Sequence, residues 1–255
     1  MKKEKNIQKA IFCNSLSEKN IENFDRIYLG EEFCSRLMPS INNIIKNIEF
    51  GKKNKKEITI IVPPIEETAL NKIKKLLEKI HKIDPNVEIV FNDWALLNLV
   101  HKKYSSFKLS VGRLISGQQI NGTYEKNKIV DDELRKFLNK FKINRIELNN
   151  CFGKINPYDN TFNTKLKGSL HYPYTYITST NYCSIAGFKT KNDKIFDCKK
   201  DCLNHIFELE YPPEFLKQYK PILIKGKTRF TKVNDKKNLE QHWIDRIVYN
   251  DMWTK

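Results

Sequence analysis

The sequence predicts a TIM-like (β/α) barrel, and three observations carry that expectation. Short apolar runs of strand length alternate with amphipathic runs of helix length along most of the chain. Seven or eight such units in one domain of 255 residues suit a barrel better than an open doubly wound sheet. No G-x-G-x-x-G or Walker-type loop follows any of the apolar runs, which counts against the nucleotide-binding open sheets. The expectation is a single domain over 1–255. It allows for an incomplete or distorted barrel and includes a cysteine-bearing loop region at 181–220.

In order, the runs at 9–15 and 25–30 predict the first two strands. A helix then aligns Leu37, Ile41, Ile44, Ile45 and Ile48 on one face. The run 57–64, ended by two prolines, predicts the third strand, and the next helix carries Ala69, Ile73, Leu76, Leu77, Ile80 and Ile83 as one stripe. Residues 87–94 predict the fourth strand, with a helix after it, and 107–114 the fifth. Leu134, Phe137, Leu138 and Phe141 mark the inward face of the following helix. Strand six is expected at 143–150, strand seven at 169–180 and the eighth at 220–230. Between 181 and 220 neither period is clear, as in a long loop around a site.

The chain has 40% hydrophobic and 11% aromatic residues, the composition of a folded protein. No apolar run serves as a signal segment or membrane span, so a cytoplasmic protein with reduced thiols is expected. The formal charge is +16, but 39 of the 46 basic residues are lysine and only seven are arginine. Bidentate phosphate recognition favours arginine, so the charge is read mainly as a solvated surface, with an RNA or anionic-substrate role kept as the alternative. Neither H-e-x-x-H nor G-x-S-x-G is present, which argues against a protease.

Six cysteines stand at 13, 34, 151, 183, 198 and 202. Clustered thiols in a reduced compartment point to metal or cluster binding, and Cys183, Cys198 and Cys202 lie close in sequence. Cys13 falls within the first predicted strand and reads as a buried small hydrophobe. Cys34 and Cys151 both follow strands, and spacing does not choose between them. His205 is a further candidate ligand. No C-x3-C-x2-C run occurs, so a radical-type cluster with an open iron is not indicated. Iron–sulfur, zinc and unrelated thiols all stand open at this level.

Two segments together carry a resemblance. The run 26–36, RIYLGEEFCSR, and the run 176–202, ending in C-x3-C, resemble the cysteine blocks of the collagenase-like U32 peptidase family, in particular its ubiquinone-biosynthesis branch. The strand edges at FNDWALLNL, LSVGRLI, RIELNN and PILIKGKTRF are also similar, so the resemblance spans nearly the whole chain. It implies a [4Fe–4S] cluster on Cys34, Cys183, Cys198 and Cys202. It also implies a part in oxygen-independent hydroxylation, of a quinone precursor or of RNA, with prephenate as oxygen source. A heterodimer with a related family member is implied as well. Zinc remains the alternative cofactor.

In a barrel, chemistry sits on the loops after the strands. That rule, applied to a dianionic small-molecule substrate, nominates Arg113 as a carboxylate anchor. Asp93 is a second candidate, with capping of the next helix as its ordinary role. Glu147 and Asn149 share one face of strand six. An acid inside a barrel must be paired or functional, so Glu147 is a candidate too. His171 brings acid–base capacity to strand seven.

Overall fold

In the computed structural model the described residues are 6–116, 132–150, 166–187, 198–203, 205, 207–210, 212 and 221–250. Eight parallel strands close into a barrel: β1 (Gln8–Phe12), β2 (Arg26–Gly30), β3 (Glu57–Val62), β4 (Glu88–Phe91), β5 (Lys108–Val111), β6 (Arg145–Asn149), β7 (Lys167–Tyr172) and β12 (Ile244–Asn250). The order runs from β1 through to β7 by neighbours, and β12 pairs with both β7 and β1 to close the circuit. Helices α1 (Glu18–Ile21), α2 (Ile41–Lys53), α3 (Glu67–Ile83), α4 (Trp94–Lys103) and α5 (Asp132–Lys140) lie in the crossovers. This is the predicted TIM-like barrel. Among the described residues no helix is long and apolar enough to cross a membrane.

Alternation along the strands separates two apolar regions. Ile27 and Leu29 of β2, with Ile58, Ile60 and Val62 of β3, face outward into the large core beneath the helices, where Ile73, Leu76, Leu77 and Ile80 of α3 meet them. Tyr28, Ile61 and Val90 face inward with Ala10, Phe12 and Val248. Leu37 does not extend the first long helix as expected. It sits in a 3₁₀ turn, Ser35–Leu37, because Pro39 disfavours helical geometry at Met38, and α2 begins after the Ser40 cap.

The remaining strands form a four-stranded antiparallel sheet, β8 (Tyr174–Ser179), β11 (Thr228–Lys232), β10 (Ile222–Lys225) and β9 (Phe207–Glu208), in that order. Two expectations are corrected here. The predicted seventh strand divides at the cis peptide Tyr172–Pro173: β7 stays in the barrel and β8 leaves for the small sheet. The predicted eighth strand is instead the hairpin β10–β11, turning at Gly226–Lys227 with Gly226 at φ +59°. Glycine supplies that left-handed turn conformation without a steric penalty.

The true closing strand, β12, carries Arg246 at an inward position, so its sequence does not read as an apolar run. Its charge is matched inside the barrel. Arg246 Nη1 donates to Glu88 Oε1 at 2.6 Å and to the Tyr28 hydroxyl at 2.6 Å. Arg26 and Arg145 stand 3.6 and 3.7 Å from the same carboxylate. Burial alone would raise the Glu88 pKa, but Arg246, Arg26 and Arg145 outweigh it and hold it down to about 2.

Candidate functional site

At the C-terminal half of the barrel a polar group fills the interior. Ser110 Oγ donates to Glu147 Oε1 at 2.7 Å, and His171 Nε2 lies 2.9 Å from Glu147 Oε2. Both side chains are wholly buried. Burial, with Glu88 nearby, raises Glu147 to about 7 against the pull of Arg246. Burial and the Arg113 charge lower His171 to about 3. Both shifts favour the uncharged forms, a protonated carboxyl on Glu147 and a neutral His171 ring. His171 Nδ1 is buried with no hydrogen-bond partner among the described residues.

Arg113, 1% exposed, follows β5 and pairs with Glu32: Nε reaches Oε1 at 2.9 Å and Nη2 reaches Oε2 at 2.5 Å. Its Nη1 donates to Asn149 Oδ1 at 3.1 Å and to the Tyr174 carbonyl at 3.2 Å. Phe33 and Tyr176 flank the guanidinium, with ring centroids 5.3 and 5.8 Å away. The anchor expected for a substrate thus has four internal acceptors.

The segment that brings Glu32 inward continues directly to Cys34. Gly30, at φ +113°, starts it. A Cβ there would lie 2.2 Å from the Ile61 carbonyl oxygen, so only glycine fits. Glu31 Oε1 then accepts the N–H groups of Glu32 and Phe33, at 3.1 and 3.3 Å. Phe33 packs on Phe230 of β11, which joins the loop to the small sheet.

Cys34, Cys183, Cys198 and Cys202 all line one cavity of about 550 Å³, with Gly226 and Lys227 of the hairpin turn also in its wall. Backbone N–H groups point at three of the sulfurs: Arg36 and Leu37 toward Cys34, Gly226 toward Cys202, and Ala186 toward Cys183 at 3.5 Å. Burial and the three neighbouring cysteines push the Cys202 thiol up to about 11, and burial also raises Cys34. A positive group bound among these sulfurs would reverse that and stabilise thiolates. Among the described residues no three His, Cys, Asp or Glu side chains stand close enough to hold a single metal ion.

The expected residues thus fall into two groups. Glu147, His171 and Arg113 meet in the barrel interior, and the four cysteines meet at the cavity. Asp93 belongs to neither: it caps α4, accepting from Ala95 N–H at 2.6 Å and Ile65 N–H at 3.1 Å. Cys13 lies past the end of β1, half-exposed, with its thiol on the Ser15 carbonyl at 2.8 Å. That corrects the mid-strand expectation, the strand having ended at Phe12. Cys151 lies outside the described residues. His205 is exposed and rests on Phe207. The loop rule covers Glu32 within the segment 30–34 but gives it no role of its own, and it misses Lys227, for which a lysine in a lysine-rich chain left no signal.

Fold and site together define a parallel (β/α) barrel carrying an antiparallel sheet whose β10–β11 turn lines a cysteine-bearing cavity. Among solved structures, that of the U32 peptidase Mk0906 is similar to this chain, with a TM-score of 0.52 over 98% of this chain and 94% of that one. At 8% identity the likeness is one of fold. No protein-family model matches the chain, and no curated protein does.

Proposed function

We propose that this chain is a U32-family protein of the UbiV type. In this reading it holds one [4Fe–4S] cluster on Cys34, Cys183, Cys198 and Cys202. It takes part in oxygen-independent, prephenate-type hydroxylation of a quinone precursor or similar small molecule, as the cytoplasmic partner of a related subunit. The observation that carries the reading is the convergence of four cysteines, from distant parts of the sequence, on one cavity. The thiol set, the N–H groups aimed at the sulfurs and the cavity size suit a polyatomic cluster. Zinc would need all four sulfurs drawn to about 2.3 Å from one centre.

With four cysteine ligands a bound cluster would supply electron transfer or structural support. The protein's own residues do the rest. Glu147 and His171 hold an exchangeable proton in the barrel interior, and Ser110 orients the carboxylate. Arg113 fixes Glu32, and with it the loop that presents Cys34. Anaerobic purification with iron and sulfide assay and visible spectroscopy tests the proposal. A colourless, zinc-containing protein overturns it.

A second reading, an RNA-binding or RNA-hydroxylating member of the same family, has its own observation. A cavity of about 720 Å³ at the N-terminal end of the barrel is lined by Lys108, Lys140, Lys142 and Lys167 beside Tyr104 and Phe141. It predicts RNA association that weakens steeply with salt; salt-insensitive or absent binding removes it.

A further inference from the structure

Lys227 lines the cysteine cavity from the β10–β11 turn. Its side chain is only 10% exposed, whereas lysines ordinarily keep the ammonium in water. The partner at hand does not account for that burial. Glu66, at the start of α3, is 40% exposed and stands 3.7 Å from Nζ, a loose and largely solvated pairing of small worth. The turn is nevertheless held firmly: the Lys227 carbonyl accepts the Thr180 N–H at 3.0 Å, and the Gly226 N–H points at Cys202. The charge at Lys227 also acts on the Cys34 sulfur. Among the described residues the other charged side chains lining the cavity are Arg36, which is exposed, and Glu66; Glu31 lies beside Cys34 and itself feels the charge of Lys225. Four thiolates would add a concentration of negative charge, and Lys227 is a largely buried cation in the cavity wall placed to meet it.

We infer that Lys227 is the charge-compensating residue of the cysteine cavity, stabilising the more negative, reduced state of a thiolate-bound cluster, and is not simply a latch between the hairpin and α3. The inference rests on the proposed cluster.

The test compares the anaerobically purified wild-type chain with Lys227→Met, Lys227→Arg and Glu66→Gln, reading iron content and midpoint potential. Lys227→Met should disfavour reduction at least tenfold, a shift of about 59 mV to the negative for one electron. Lys227→Arg should stay near wild type. Glu66→Gln, which removes an anion and keeps the cation, should move the potential upward or not at all. If Lys227→Met loses its iron while the other two keep theirs, the inference is equally supported. If Lys227→Met and Glu66→Gln change alike, Lys227 is only a latch and the inference fails. An iron-loaded wild type with an unmoved potential in Lys227→Met overturns the inference alone. An iron-free wild type overturns it together with the cluster.

Discussion

Replacing Arg113 by methionine removes a charge and keeps an apolar stem of similar length, and the structure says where the cost falls. Glu32 is 0% exposed and loses both strong donors, at 2.9 and 2.5 Å, while Asn149 and the Tyr174 carbonyl lose theirs. Breaking a buried ion pair from one side typically costs about 3–5 kcal/mol, because the remaining charge stays desolvated. Against a typical domain stability of about 5–15 kcal/mol, that is a large share. Glu32 precedes Phe33 and Cys34, so the same loss should loosen the cysteine cavity and, if the proposed cluster is bound there, lower its iron content. This differs from a substrate-anchor role, in which Arg113 variants keep full stability and full metal. The assay is anaerobic urea unfolding of Arg113→Met, Glu32→Leu and the double variant, with iron measured on each. The double variant should recover most of the loss, since an apolar pair replaces an ion pair at little cost. An Arg113→Met protein within about 1 kcal/mol of wild type, with full iron, would refute the reasoning.

Three further outcomes are expected. Cys34→Ser should lose iron, whereas Cys13→Ser should keep it, since Cys13 hydrogen-bonds within its own turn; equal iron in both would exclude Cys34 as a ligand. Gly30→Ala should destabilise by about 2–3 kcal/mol or prevent folding, from its left-handed φ and the clash with Ile61, as read by thermal unfolding. Stability should fall steeply on acidification only below about pH 4.5. Glu88 and His171, with pKa held down to about 2 and 3, contribute stability at higher pH that is lost as their unfolded forms take up protons. Glu147, raised to about 7, works in the opposite sense between 4.5 and 7, and His171 offsets it there. His171→Gln should therefore expose the Glu147 slope, with stability falling as pH rises from about 4.5 to 7; a flat profile would contradict the pairing.

Much of the barrel was legible because strand-length apolar runs alternate with amphipathic helical ones, and α3 showed its buried stripe of Ile73, Leu76, Leu77 and Ile80. The closing strand β12 was not legible, because its inward Arg246 breaks the apolar pattern and is stabilised by Glu88 and Tyr28, which come from other strands. The antiparallel sheet was missed for a related reason. A hairpin turn at Gly226–Lys227 divides what reads as one continuous strand.

The site divides the same way. Residue types and spacing were enough to single out Cys183, Cys198 and Cys202, and a resemblance added Cys34. Sequence by itself determined the alternation that builds a barrel, the donors available to it and the glycine at position 30. Only the tertiary structure decided that four thiols line one cavity, that Lys227 stands beside them, and that Arg113 turns inward to Glu32. These are contacts between segments far apart in the chain. Their energies depend on mutual distance and on exclusion from water, neither of which a local pattern encodes.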